Sequence, residues 1–194
     1  MTNFVTLEEY KEAEGITSPK EDLRLNHIIP SVTQLVKTYC GNSIIDFYTV
    51  DKVESFSIDW TSSLIQLTES PVRTVVSVEE RDNFSAPYIT LSSSDYYVDS
   101  NTDSVIRVTS AGQHKPWKTG PGSVRITYKA GYEECPADLK LAIMDLITYY
   151  LKDEHKERKT LAGASVQNQA STSQRNNVAF PDHIKRILDL YKNF

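Results

Sequence analysis

The stretch from Leu139 to Leu151 constrains the fold more than any other part of the chain. Leu139, Ala142, Ile143, Leu146, Ile147, Tyr150 and Leu151 recur on one helical face. Leu141, Met144 and Tyr149 extend apolar character around most of the circumference. A helix at a protein surface needs only one apolar face. The pattern therefore predicts a central helix over about 137–157, roughly 30 Å long at 1.5 Å per residue, enclosed by the rest of the chain or covered again by a second subunit. Pro136 suits the first helical position, and Asp138 adds favourable charge near that terminus.

The hydrophobic period changes twice before this helix. Residues 6–14 predict a short helix, because Thr6 and Glu9 have capping-box spacing and Gly15 is a natural left-handed stop. A second start follows, with Ser18 as cap, Pro19 at the first position and Glu21 at the third. Behind it Leu25, Ile28, Ile29, Val32, Leu35, Val36 and Tyr39 form a helical stripe. Pro30 removes a backbone donor inside that stripe and predicts a kink or a break. From about residue 50 the period becomes alternating, with candidate strands at 53–58, 63–67, 72–79, 88–91, 96–98, 105–108 and 123–129. The clearest is Ser123–Lys129, where Val124, Ile126 and Tyr128 oppose Arg125, Thr127 and Lys129.

After the central helix, residues 160–179 are dominated by Ala, Ser, Thr, Gln and Asn and predict a mobile polar linker. Phe180 and Pro181 then open a last helix with Ile184, Ile187, Leu188 and Tyr191 on one face. The expected class is α+β: a mainly helical frame holding a small inserted antiparallel β domain. Its expected parts are an N-terminal helical section (1–49), a β-rich subdomain (50–130), the central helix (131–159), the linker (160–179) and a C-terminal docking helix (180–194).

Little in the sequence specifies catalysis. The 194 residues hold four histidines, His27, His114, His155 and His183, with no metal-ligand spacing and no HExxH pair. Asp99, Asn101 and Asp103 copy the start of a calcium loop, but Ser104 and Ser110 stand where its glycine and bidentate glutamate belong. Gly120-Pro-Gly122 lacks the Lys and Ser or Thr that complete a phosphate-binding loop. Cys40 and Cys135 make neither a disulfide framework nor a zinc site, and a reducing compartment is the default. The expectation is no enzyme activity, cofactor or metal. No apolar run approaches the roughly 20 residues of a membrane span, the start lacks a signal-peptide pattern, and no membrane partner is expected.

Charge and aromatic content point toward an interaction protein. Residues 1–139 carry 12 basic and 20 acidic groups; residues 140–194 carry 9 and 6. The cationic stretch Lys152–Lys159 is interrupted by Asp153, Glu154 and Glu157, which suits a solvated helix face. Eleven tyrosines, two tryptophans and six phenylalanines offer rigid contact area with polar handles. Trp117, in a polar loop bounded by Gly and Pro, is a candidate for an interface. Tyr149 and Tyr150 suit either core or interface. Ile184, Ile187, Leu188 and Tyr191 are candidates for docking the last helix on a subunit or partner. Ser18, Glu21, Gly131, Pro136 and Pro181 are the candidate turn and cap residues.

Several local phrases, in order, resemble the head–tail connector, or adaptor, family of long-tailed bacteriophages. Val5-Thr-Leu-Glu-Glu-Tyr-Lys11 resembles that family's first helix, and Asp22–Tyr39 its second. Ile126-Thr-Tyr-Lys-Ala-Gly-Tyr132, followed by Cys135-Pro-Ala-Asp-Leu-Lys-Leu-Ala142, is similar to the final strand, turn and major helix. Phe180–Tyr191 resembles the C-terminal helix. The resemblance implies a structural virion protein: a homo-oligomeric ring, usually of 12 copies, between the portal protein and the tail or neck proteins. Double-stranded DNA would pass through it without sequence-specific binding. It would sit in the virion neck, after assembly in the host cytoplasm. Two other readings stay open: a tail-completion or neck protein contacting tail rather than portal, and a soluble non-viral α+β binding protein.

Overall fold

Thr6 starts the first helix. Its hydroxyl accepts the Glu9 backbone N–H at 3.1 Å, and the Glu9 carboxylate accepts the Thr6 N–H at 2.9 Å, the reciprocal cap that the spacing predicts. Helix α1 is Leu7–Ala13. The next helix begins later than expected. Ser18 Oγ accepts only a 3.3 Å bond from the Lys20 N–H, Glu21 lies before the helix, and α2 runs Asp22–Cys40. It passes through Pro30 as one helix, so of the kink or break expected there the break does not occur. Asn26 and Pro30 lie on the exposed side, where a carbonyl deprived of its donor meets solvent. The Ser31 hydroxyl also donates to the His27 carbonyl at 2.7 Å.

The computed structural model describes residues 2–153, 158–161, 164–167 and 180–192. They divide into a helical unit, from Met1–Cys40 and Glu134–Lys192, and a sheet unit, from Gly41–Glu133. In the helical unit, α3 is Ala137–Leu151, with Pro136 one residue before it as N-cap. It is shorter than expected because the apolar pattern ends at Leu151 and Asp153 adopts a left-handed φ of 57°, which helical backbone does not use. Leu139, Ala142, Ile143, Leu146 and Ile147 form its buried face. Helix α2 meets that face with Leu25, Ile29, Val32 and Val36.

The last helix, Asp182–Leu188, follows Pro181 as N-cap and inserts Ile184 and Leu188; the 3-10 turn Asp189–Tyr191 follows. The strands Arg158–Leu161 and Ala164–Gln167 pair antiparallel, across the end of the stretch expected as central helix and the start of that expected as linker. Residues 162–163 and 168–179 of the expected linker, and His155, lie outside the described residues.

The sheet unit contains seven strands: β1 (Lys52–Ile58), β2 (Leu64–Gln66), β3 (Val72–Glu80), β4 (Ile89–Thr90), β5 (Tyr96–Asp99), β6 (Ser104–Arg107) and β7 (Gly120–Ala130). They form two antiparallel sheets, ordered β1-β7-β3-β4 and β2-β6-β5. Both contribute to one core: Val72, Val78, Val124, Ile126, Tyr128 and Ala130 from the larger, Ile65 and Val105 from the smaller. Strand β7 is central because its alternation faces Val124, Ile126 and Tyr128 inward while it pairs on both edges. This corrects the expected fold class. About 33% of the chain is helical and 25% is strand, so the β part is not a small insert in a mainly helical frame. The seven strands fall on the seven candidate stretches; the size of the β part follows from their closing into two sheets around a core of their own, which the alternation along any one strand does not contain.

Polar side chains fix the ends of this sandwich. The nearly buried Glu69 carboxylate accepts from Ser43 N–H at 2.8 Å, Ser43 Oγ at 2.6 Å and Lys52 Nζ at 2.8 Å. Lys52 also pairs with Glu54 at 2.9 Å, and Glu54 accepts from the Thr68 hydroxyl. Burial opposes both charges. For Lys52 the Glu69 and Glu54 carboxylates outweigh it and raise the pKa; for Glu54 the Thr68 and Lys52 hydrogen bonds outweigh it and lower the pKa. Asp103, read in sequence as part of a failed calcium loop, accepts from Ser70 Oγ and the Val72 N–H, each at 2.6 Å.

Gly131 explains the Ala130-Gly-Tyr132 phrase. Its φ is +91°, and a Cβ there would stand 2.2 Å from the Ile44 carbonyl oxygen. That carbonyl accepts the Tyr132 N–H at 2.8 Å, so it cannot move away cheaply. Gly131→Ala should lower the unfolding free energy by about 2–4 kcal/mol. Gly15→Ala, at φ +66° with nothing within 4 Å, should lower it by about 1 kcal/mol; urea titration of both variants measures the difference. The stabilisation from Glu54 is complete above its unfolded pKa near 4.5 and is lost as pH falls through its lowered folded value. Glu54→Gln should therefore flatten the fall of the thermal midpoint below about pH 4.5. An acid limb identical to that of the unsubstituted protein would refute the assignment.

Candidate subunit interface

The structure separates the residues expected at an interface. Trp117 is 2% exposed and belongs to the sandwich core. Its backbone N–H donates to the Ser62 carbonyl at 2.8 Å, and the Arg107 guanidinium stands 5.9 Å from its ring. Its loop looked exposed because polar residues surround it in sequence; tertiary packing turns the indole inward and makes it unavailable to a partner. Ile184 and Leu188 are likewise buried, within the chain's own helical unit. Ile187 and Tyr191 are half-buried. Tyr149 and Tyr150, also half-buried, meet edge to face at 5.6 Å.

Polar contacts hold the last helix in place. The Tyr39 hydroxyl donates to Asp189 at 2.6 Å, and its ring meets Phe180 edge-on at 5.0 Å. Burial, reinforced by Asp189, pushes the Tyr39 hydroxyl up to about 12. The Tyr191 hydroxyl donates to Asp138 at 2.6 Å and holds that carboxyl below its ordinary range. At the opposite flank of α3, Lys140 donates to Glu9 at 2.6 Å and lowers the Glu9 pKa. Tyr10 Oη and Thr148 Oγ1 lie 2.8 Å apart. Burial raises both thiols, Cys40 and Cys135, to about 12, leaving them protonated and poor as nucleophiles at neutral pH.

Two kinds of surface remain open. The first is an apolar groove of about 500 Å³ in the helical unit, with Ile28, Val32, Leu35 and Tyr150 among its lining and His27 and the Arg24–Asp153 ion pair, 2.8 Å apart, beside them. The second is a set of exposed apolar side chains. Leu141 on α3 is 60% exposed and Leu190, in the turn after the last helix, 76%. In the sheet unit, Trp60 is 73% exposed and Phe84 70%. The over-wide apolar coverage of α3 marked Leu141 in advance. Leu190 and Phe84 carried no sequence signal, because a single apolar residue beside a turn is common at surfaces.

These features suit contact rather than catalysis. The polar groups of the groove are engaged within the chain, Arg24 with Asp153 at 2.8 Å and Ser31 with the His27 carbonyl at 2.7 Å, rather than set to orient a substrate. Among the described residues, no group of three or more His, Cys, Asp or Glu could hold a metal ion, and no helix is long and apolar enough to cross a membrane.

Comparison with known proteins gives the same direction. No curated protein matches the sequence. Among solved structures, a chain in the neck of an empty gene transfer agent particle computed with C6 symmetry aligns with TM-score 0.61 and 13% identity, over 98% of this chain and 90% of that one. A chain in the neck of the native particle computed with C12 symmetry aligns with TM-score 0.56 and 15% identity, over 100% and 96%. A chain in the virion of the native particle aligns with TM-score 0.60 and 15% identity, over 98% and 90%. At these identities the likeness establishes the shared fold. The sequence itself matches the family model described as head completion protein over residues 3–194, nearly its full length, and the chain belongs to the head completion protein family.

Proposed function

We propose that this chain is a non-enzymatic structural subunit of the neck of a phage-like particle. Copies form a homo-oligomeric ring, of 12 subunits, between the portal and the tail or its completion proteins, and the ring continues the DNA channel. The observation that carries this reading is the full-length match to the head completion protein family. A fold shared over nearly the whole chain with neck subunits of particles computed with C12 and C6 symmetry supports it.

The physical features are consistent with that role. A closed ring needs a heterologous contact, made by two different patches on every subunit, and the helical unit offers both a groove and exposed leucines. The acidic balance of the first 139 residues suits a channel wall, since strong cationic pairing with phosphates would hold DNA rather than let it pass. Assembly in the host cytoplasm and residence in the virion neck follow from the same reading.

Light scattering on the purified 22.0 kDa chain, alone and mixed with its portal ring, tests the proposal. The expected result is a stoichiometric complex on the portal with one ring of copies per portal. A chain that ignores an intact portal but binds tail-completion proteins would overturn the portal position and retain a neck role. A chain that joins neither would overturn both.

A further inference from the structure

The edge strands of the sheet unit differ in length. Strand β2 has three residues, β4 two and β5 four, whereas β1 has seven. Strand β1 pairs on one side with β7, and among the described residues no strand pairs with its other side. From Lys52 to Phe56 its register with β7 is unbroken, and it shifts only between Phe56 and Ile58. An open edge presents unpaired N–H and C=O groups and invites another strand, unless a proline or an outward charge blunts it. Strand β1 contains no proline, and its exposed side chains are Val53, Ser55 and Ser57. Its charged residues do not guard the edge, because Lys52 and Glu54 lie on the opposite face and are held by Glu69 and Thr68.

The complement lies in the helical unit. Strands Arg158–Leu161 (β8) and Ala164–Gln167 (β9) pair residue for residue, from Arg158 with Gln167 to Leu161 with Ala164. Their sheet has two strands only. A two-stranded ribbon on its own is marginally stable in water, and a third strand is what stabilises it. Strands of four residues fit within the five regular residues of the β1 edge.

We propose that the β8–β9 hairpin of one copy adds to the β1 edge of the next and extends its four-stranded sheet across the subunit boundary. The inference rests on the ring reading above and names one main-chain contact within it. Main-chain hydrogen bonds supply the affinity of strand addition, and alternate side chains supply its specificity. Hairpin and edge are different patches of one chain. The contact therefore repeats head to tail, the arrangement that a rotation closes into a ring.

Thiol cross-linking in assembled particles tests the pairing. In a Cys135→Ser background, Ser55→Cys and Thr160→Cys are assembled as single variants, as a mixture of the two chains, and as one double variant. A bismaleimide spanning about 10 Å, two strand spacings, is then added. The expected result is a covalent ladder rising to the full ring from the double variant, dimers from the mixture and monomer from each single variant. Dimers from Ser55→Cys alone would mean that two β1 edges meet, and would overturn the proposal. Internally linked monomers from the double variant would overturn it as well. No links in particles that hold multiple copies would overturn the contact and leave the ring reading standing; particles holding one copy would overturn the ring itself. Hydrogen exchange reads the same contact without any substitution. Roughly every second β1 amide faces away from β7, and these should exchange about tenfold more slowly in the particle than in the free chain. Unchanged exchange across Lys52–Ile58 would overturn strand addition.

Discussion

The buried face of α3 is the constraint on which the helical unit depends. Leu139, Ile143, Leu146 and Ile147 are fully enclosed, and the helices that enclose them come from distant parts of the chain. Tyr10 reaches Thr148 across 138 residues of sequence, and Cys40 Sγ lies 3.7 Å from the Leu188 carbonyl across 148. Closing loops of that length costs entropy that grows only slowly with length. Burying several large apolar side chains at roughly 1.5–3 kcal/mol each offsets it. The intervening Gly41–Glu133 is tolerated because it builds its own core.

The sheet unit relies on a different device. Its two sheets share an apolar interior, while polar groups at the edges set how they close. Glu80 on β3 and Arg107 on β6 face each other at 3.4 Å with almost no exposure, linking strands of different sheets. A buried pair of this kind is weak evidence for stability. Breaking it would strand a charge in the core, which penalises alternative arrangements of the same strands. Glu69 collects three donors from Ser43 and Lys52 in the same spirit, and its own N–H donates to the buried Tyr128 hydroxyl at 3.2 Å. Closure at the other polar loops uses side chains that looked like ligands: Asp103 serves Ser70 and Val72 instead of calcium.

Much of the fold was legible because local rules and tertiary packing agreed. The Thr6–Glu9 box, the strand alternation at 123–129 and the start of the helix after Pro136 all appear where spacing places them, within a residue or two. Pro30 does not break its helix because its cost depends on which side of the helix it occupies, and the exposed side leaves the lost bond to solvent. All seven strands were legible from their alternation, but the weight of the β part was not, because closing into two sheets over a separate core depends on how distant segments pair. The candidate contact residues were harder still. An apolar side chain at helical spacing looks the same whether it meets its own chain, as Ile184 and Leu188 do, or awaits another.

By itself the sequence determined the helix–sheet–helix order, the Thr6–Glu9 cap and the turn at Gly131, since these follow from backbone sterics and local hydrogen bonding. It also carried the family resemblance, which lies in those same local phrases. Only the tertiary structure decided that Trp117 is core, that the last helix spends Ile184 and Leu188 within its own unit, and that Leu141 remains outside. Exposure is a property of how distant segments meet, and no local spacing contains it.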